Sequence, residues 1–215
     1  MSYIDLLFRP DLFFKELMQK GASLKVPLII IIIMAMITAI SAGFIAGIVG
    51  EALPMDLEGL GILMAAFAGI ISIIAVFVIW VIWAGVFHGI SSILGGKGGF
   101  KRVLEVVGYG YLPQVFSAVI AAVVTYDYIG TLDLTALTDP EAAAQFQTEM
   151  LSDPTIQFSS IVGIIFLLWS ANIWIFGIRE AHGISTRNAL IAVGLPVLLY
   201  ILFFGVMPLL GSGGV

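Results

Sequence analysis

The sequence predicts an all-α integral membrane protein with five transmembrane helices, and three observations carry that prediction. Hydrophobic residues make up 60% of the chain and charged residues only 11%, against roughly 25% charged in an ordinary soluble domain. The apolar residues fall in unbroken runs with no polar face, which lipid tolerates and water does not. All nine lysines and arginines lie in alternate connecting segments, and the segments between carry acids instead.

A spanning helix needs about 20 mostly apolar residues, because a hydrocarbon core about 30 Å thick offers backbone N–H and C=O groups no partner outside the helix. Residues 26–49, 60–94, 103–125, 156–178 and 189–210 meet that length and form a membrane domain over 26–210. The third run holds Glu105, Gly108, Gly110 and Pro113, so a straight helix is not expected there. Pro196 interrupts the fifth run in the same manner. A multi-pass bundle of this length leaves no room for a separate soluble domain.

The charges set the orientation, since bases near span ends stay in the cytoplasm. Arg9, Lys15, Lys20 and Lys25 precede the first span; Lys97, Lys101 and Arg102 join the second to the third; Arg179 and Arg187 join the fourth to the fifth. Residues 50–59, 126–155 and 211–215 contain no base. A cytoplasmic N-terminus and an extracytoplasmic C-terminus in a cell membrane follow. The first apolar run exceeds the roughly 7–15 residues of a secretory signal core, so it reads as an uncleaved span.

Residues 1–25 form a cytoplasmic leader. Within it Phe13, Phe14, Leu17 and Met18 make an apolar stripe, read as an interfacial amphipathic helix in the headgroup layer or as a plain juxtamembrane leader. The outer loop 126–155 is punctuated by Asp139-Pro140 and Asp153-Pro154, each an N-cap followed by a first-turn proline. A short helix is expected over 140–151, with Pro154 opening the fourth span.

The inner loops echo each other. His88-Gly89-Ile90-Ser91-Ser92 closes the second span and His182-Gly183-Ile184-Ser185-Thr186 the fourth; Leu112-Pro113 and Leu195-Pro196 follow in the spans beyond. Spans two and three and spans four and five are then either a tandem hairpin repeat or two instances of the same capping chemistry. Each histidine sits at a helix C-terminus, where it can bind terminal carbonyls or, alternatively, a proton or metal.

No catalytic set is present. The Gly95-Gly96-Lys97-Gly98-Gly99 stretch lacks the spacing that cradles phosphates and reads as a flexible basic turn. No enzyme activity, cofactor or metal is expected, nor a nucleic-acid partner. Lys97, Lys101, Arg102 and Arg187 are candidates for anionic headgroups, each worth on the order of 1 kcal/mol, or are topology signals alone. Glu105, a few residues into an apolar run, needs a base: Arg102 on its own helix, or Arg179 or Arg187 from the other hairpin. Gly43 with Gly47, and Gly85 with Gly89, allow close helix approach within a chain or between chains, and Asn172 reads as interhelical glue.

Phe8-Arg9-Pro10 with Phe13-Phe14, the stretch Leu94-Gly95-Gly96-Lys97-Gly98-Gly99-Phe100-Lys101-Arg102, and Gly108-Tyr109-Gly110-Tyr111-Leu112-Pro113 resemble the Yip-domain family, named for Ypt/Rab-interacting proteins. The resemblance covers nearly the whole chain and implies a non-enzymatic membrane scaffold, in membrane organisation or trafficking-like recruitment. Family members of eukaryotes are linked to small GTPases through a long polar N-terminal region; with only 1–25 ahead of the first span, this chain resembles the short prokaryotic branch, and a Rab-type partner is not expected. Membrane lipids, a second copy of the chain or other membrane proteins are the partners implied. The alternative is a small-solute or ion transporter or channel built on the helix breaks at Pro113 and Pro196.

Overall fold

The long apolar runs form helices whose outward side chains are mostly apolar, as a bilayer requires. The computed structural model describes residues 3–52, 59–131 and 152–206, and no strand occurs among them. The leader forms α1 (Tyr3–Phe8) and α2 (Pro10–Met18). Then come α3 (Lys25–Ala52), α4 (Leu60–Ile93), α5 (Phe100–Gly110), α6 (Leu112–Ile129), α7 (Pro154–His182) and α8 (Thr186–Tyr200), the last running on as a π-helical turn, Ile201–Val206. Five stretches are long and apolar enough to cross a membrane: Lys25–Glu51, Leu60–Ile93, Leu112–Ile129, Pro154–His182 and Thr186–Gly205. The helix expected over 140–151 lies outside the described residues.

Small residues let α3 and α4 pack closely. A Cβ added to Gly50 would stand 2.8 Å from the Gly61 Cα, and one on Gly43 would stand 3.1 Å from the Ala65 carbonyl oxygen. Without a hydrophobic force between helices in lipid, such backbone approach and its dispersion contacts hold the pair. Gly43 and Gly47 thus pack inside the chain, whereas Gly85 and Gly89 meet nothing within 4 Å. Asn172 also departs from expectation: it is exposed on α7, not placed between helices.

The third apolar run is two helices. Its first part, α5, carries Val103, Val106, Val107 and Tyr109 on buried positions and Lys101 on an exposed one. Tyr111 ends it: the Tyr111 N–H turns to Gly108 O at 3.3 Å, and Val107 O accepts instead from Trp174 Nε1 at 2.9 Å. Trp80 Nε1 likewise donates to Leu104 O at 3.1 Å. The indole of Trp174 on α7 therefore satisfies a carbonyl left open at the break, as a helix end inside protein demands, while that of Trp80 on α4 ties α4 to the middle of α5. Pro113 stands in the first turn of α6, where its missing N–H costs nothing, and Pro196 lies inside α8.

In the leader, Phe13, Phe14 and Leu17 are buried against the bundle, so this stripe faces protein instead of lipid. The Phe13 ring meets Tyr109 edge-on at 5.2 Å, and Trp169 Nε1 donates to Leu7 O at 3.1 Å. The stripe seals the end of the bundle because α5 and α7 offer it a matching apolar surface. Opposite, Tyr3, Ile4, Phe8 and Leu12 are exposed.

At the start of α7, the Asp153 side chain accepts from Thr155 N at 2.8 Å and Ile156 N at 3.3 Å, with Pro154 in the first turn. Side-chain capping here leaves the fourth span with satisfied first-turn donors.

Candidate functional site

The turn after α4 and the turn after α7 meet at the basic end of the bundle. Glycines in left-handed conformation close both helices, Gly95 at φ 89° and Gly183 at φ 64°. This stops the chains where their histidines face each other: His88 Nδ1 lies 3.3 Å from His182 Nε2. The Gly98 N–H donates to His182 Nδ1 at 3.2 Å, so that nitrogen is the acceptor, and the neutral ring carries its proton on Nε2, toward His88. Lys97 N–H donates to His182 O at 3.1 Å and Asn188 Nδ2 to Leu94 O at 3.2 Å.

The glycine-rich turn is thus packed, not flexible. A Cβ on Gly96 would stand 2.5 Å from His182 Nδ1, and one on Gly98 would overlap the Ala181 carbonyl. The echo ends with the turns, however. Pro113 follows His88 by 25 residues and Pro196 follows His182 by 14; the difference, 11 residues, is the length of α5.

The second centre of this face is Glu105. Its side chain is 1% exposed and pairs with Arg102 Nη1 at 2.6 Å. The other carboxylate oxygen accepts the Ser23 N–H at 3.2 Å. Arg102 also donates through Nη1 to Leu17 O at 3.5 Å and through Nη2 to Lys20 O. One guanidinium therefore ties α5 to the end of the leader. Burial pushes the Glu105 carboxyl above its ordinary range, against the Ser23 N–H and Arg102, which pull it down.

Of the candidate bases, Arg102 and Glu105 come together. Arg179 instead pairs with Glu180 at 2.7 Å and stands 5.0 Å over the Phe176 ring, so of the two partners open to Glu105 the local Arg102 is the one it meets, and the cross-hairpin pairing is not formed. The reason is distance along the helix: Arg102 is one turn away and Arg179 has an acid beside it. Lys97, Lys101 and Arg187 are exposed at this same end. Among the described residues, no three metal-ligating side chains gather.

Sequence reasoning treated the two histidines as separate caps and missed their contact, and it missed α5 as an independent helix. Val103, Val106, Val107 and Gly110, spaced by three and four, with the charges of Lys101 and Arg102 beside them, are the signal for α5: an amphipathic first turn where a span would be apolar all round, with Glu105 buried among the apolar residues. Nothing local marks the histidine contact beyond the echo itself.

A family model described as the Yip1 domain matches residues 4–207. An uncharacterised protein of Methanocaldococcus jannaschii is 39% identical over 126 residues, covering 59% of this chain and 89% of that protein. No solved structure matches.

Proposed function

The chain belongs to the Yip1 domain family, and we propose that it acts as a non-enzymatic membrane scaffold that organises anionic lipid at its basic, cytoplasmic end. The observation that supports this most is the fixed platform there. The His88 and His182 turns and the Arg102 clamp hold leader, α5 and both hairpin turns in one arrangement, with Lys97, Lys101 and Arg187 exposed on it. Exposed bases beside a membrane gain on the order of 1 kcal/mol each from anionic lipid, and bases held on a rigid frame concentrate that gain in one patch. Arg102, occupied by Glu105 and two leader carbonyls, positions the frame and leaves lipid contact to the other three.

The test is reconstitution in phosphatidylcholine vesicles containing labelled phosphatidylglycerol, with energy transfer from the protein reporting local enrichment. The parent should enrich the label, and the triple variant Lys97→Gln, Lys101→Gln, Arg187→Gln should lose most of that enrichment without melting earlier. Equal enrichment by the triple variant would reject the reading.

A further inference from the structure

Between the spans lie two cavities that neither histidine lines, of about 430 Å³ and 440 Å³, within the size range of small-molecule sites. Both are lined by Met34, Thr38 and Gln114. The first has an aromatic wall: Trp83 stacks on Trp174 at 5.8 Å and meets Tyr200 at 5.7 Å, and Tyr111 meets Trp174 at 5.7 Å. It sits beside the break before α6 and the π-helical turn after α8, two places where regular helix packing is interrupted. Its rim includes Ile79, Tyr200 and Phe204, which are exposed on the bilayer side. A ligand would therefore enter sideways from the membrane.

The polar groups decide what that ligand is. Every residue lining either cavity is uncharged, so an ion entering from water would lose its hydration with no countercharge in return. Several hydroxyls have already given up their donor: Thr38 Oγ1 donates to Met34 O and Ala35 O, Ser41 Oγ to Ile37 O, and Ser160 Oγ to Ile156 O. What they retain is acceptor capacity. The Gln114 amide spends one hydrogen bond on Ser170 Oγ at 3.3 Å and keeps the rest of its capacity for the cavities. A wall of aromatics beside uncharged hydroxyls and an amide fits an apolar body carrying a hydroxyl.

We propose that these cavities bind a neutral lipid alcohol of the bilayer, its hydroxyl at the level of Thr38 and Gln114 and its hydrocarbon against Trp83, Trp174 and Tyr200. Two sources share this chemistry, a diacylglycerol and an isoprenoid alcohol. The proposal is independent of the basic platform, which lies at another part of the molecule.

Gly163 supplies a variant that fills the first cavity, since an added Cβ meets only Ser117 Oγ at 3.8 Å. The protein in phosphatidylcholine vesicles is exposed to photoactivatable diacylglycerol, geranylgeraniol or phosphatidic acid, and labelled peptides are mapped. One or both alcohols should label the segments around Tyr111, Gln114 and Tyr200, and the unlabelled alcohol should compete. Which alcohol succeeds names the source. Gly163→Leu should abolish this labelling, and Gln114→Leu should reduce it roughly threefold to tenfold, the worth of one hydrogen bond. Gly85→Leu, on an open helix face, should leave it intact. Labelling of Gly163→Leu and Gln114→Leu equal to that of the parent is ordinary lipid at the protein surface and overturns the proposal, as does phosphatidic acid labelling these peptides as well as the alcohols do.

Discussion

Glu105 shows how one carboxylate can organise a helix end inside a membrane protein. It receives the Ser23 N–H and the Arg102 guanidinium, and Arg102 passes the constraint on to Leu17 O and Lys20 O. Replacing it with alanine strands a backbone donor and loosens Arg102, so Glu105→Ala should destabilise the protein in detergent by about 1–3 kcal/mol. In a cycle with Arg102→Ala the double variant should lose less than the two single losses together, because one interaction is removed twice. Additive melting losses would mean that the pair does not couple. The pH behaviour runs opposite to that of an exposed ion pair. Its folded pKa lies above the ordinary 4.5, so Glu105's own contribution to stability is complete below 4.5 and fades as pH rises through the folded value. Melting curves should therefore show the parent gaining on Glu105→Gln as pH falls through the carboxylate range.

At the scale of the element, glycines divide into those that hold a neighbour and those that face lipid. A Cβ on Gly110 would enter the Trp174 indole, whose N–H closes the end of α5, and one on Gly177 would meet Val106 and Phe14. Gly110→Ala and Gly177→Ala should each cost about 1–3 kcal/mol as overpacking. Gly85→Ala should be neutral or mildly stabilising, since Gly85 meets nothing and alanine favours helix. Thermal melts of the three variants check the order. The same contrast explains what was legible in sequence. Long runs such as 60–93 declare themselves because lipid imposes a simple rule, and Asp153-Pro154 declares a helix start because its chemistry is local. The 103–125 stretch does not, because its apolar content suits a span, and only Trp174, distant in sequence, settles where α5 ends.

For the whole molecule, charge asymmetry remains the guide to orientation, and the prediction drawn from it is direct. In a chain that has no native cysteine, Ser92→Cys at the basic end should be protected from an impermeant thiol reagent in intact cells, and Asp127→Cys at the far end of α6 should be labelled. The reverse pattern would invert the topology. The candidate site was legible in part. Its bases could be assigned to one end from their positions alone, because membrane sidedness is written in composition. That His88 meets His182, or that the leader is built into the bundle, depends on contacts between residues more than 90 apart in sequence, which no local pattern encodes.

The docked leader also imposes an order on biogenesis. Leu7 accepts its hydrogen bond from Trp169, 162 residues downstream, so the leader's seat is complete only once the fourth span is in place. Until then Phe14, which packs against Gly177, lacks that part of its cover. A chain stopped short of Trp169 would leave the leader without its cover from α7, an exposed apolar surface of the kind that favours aggregation.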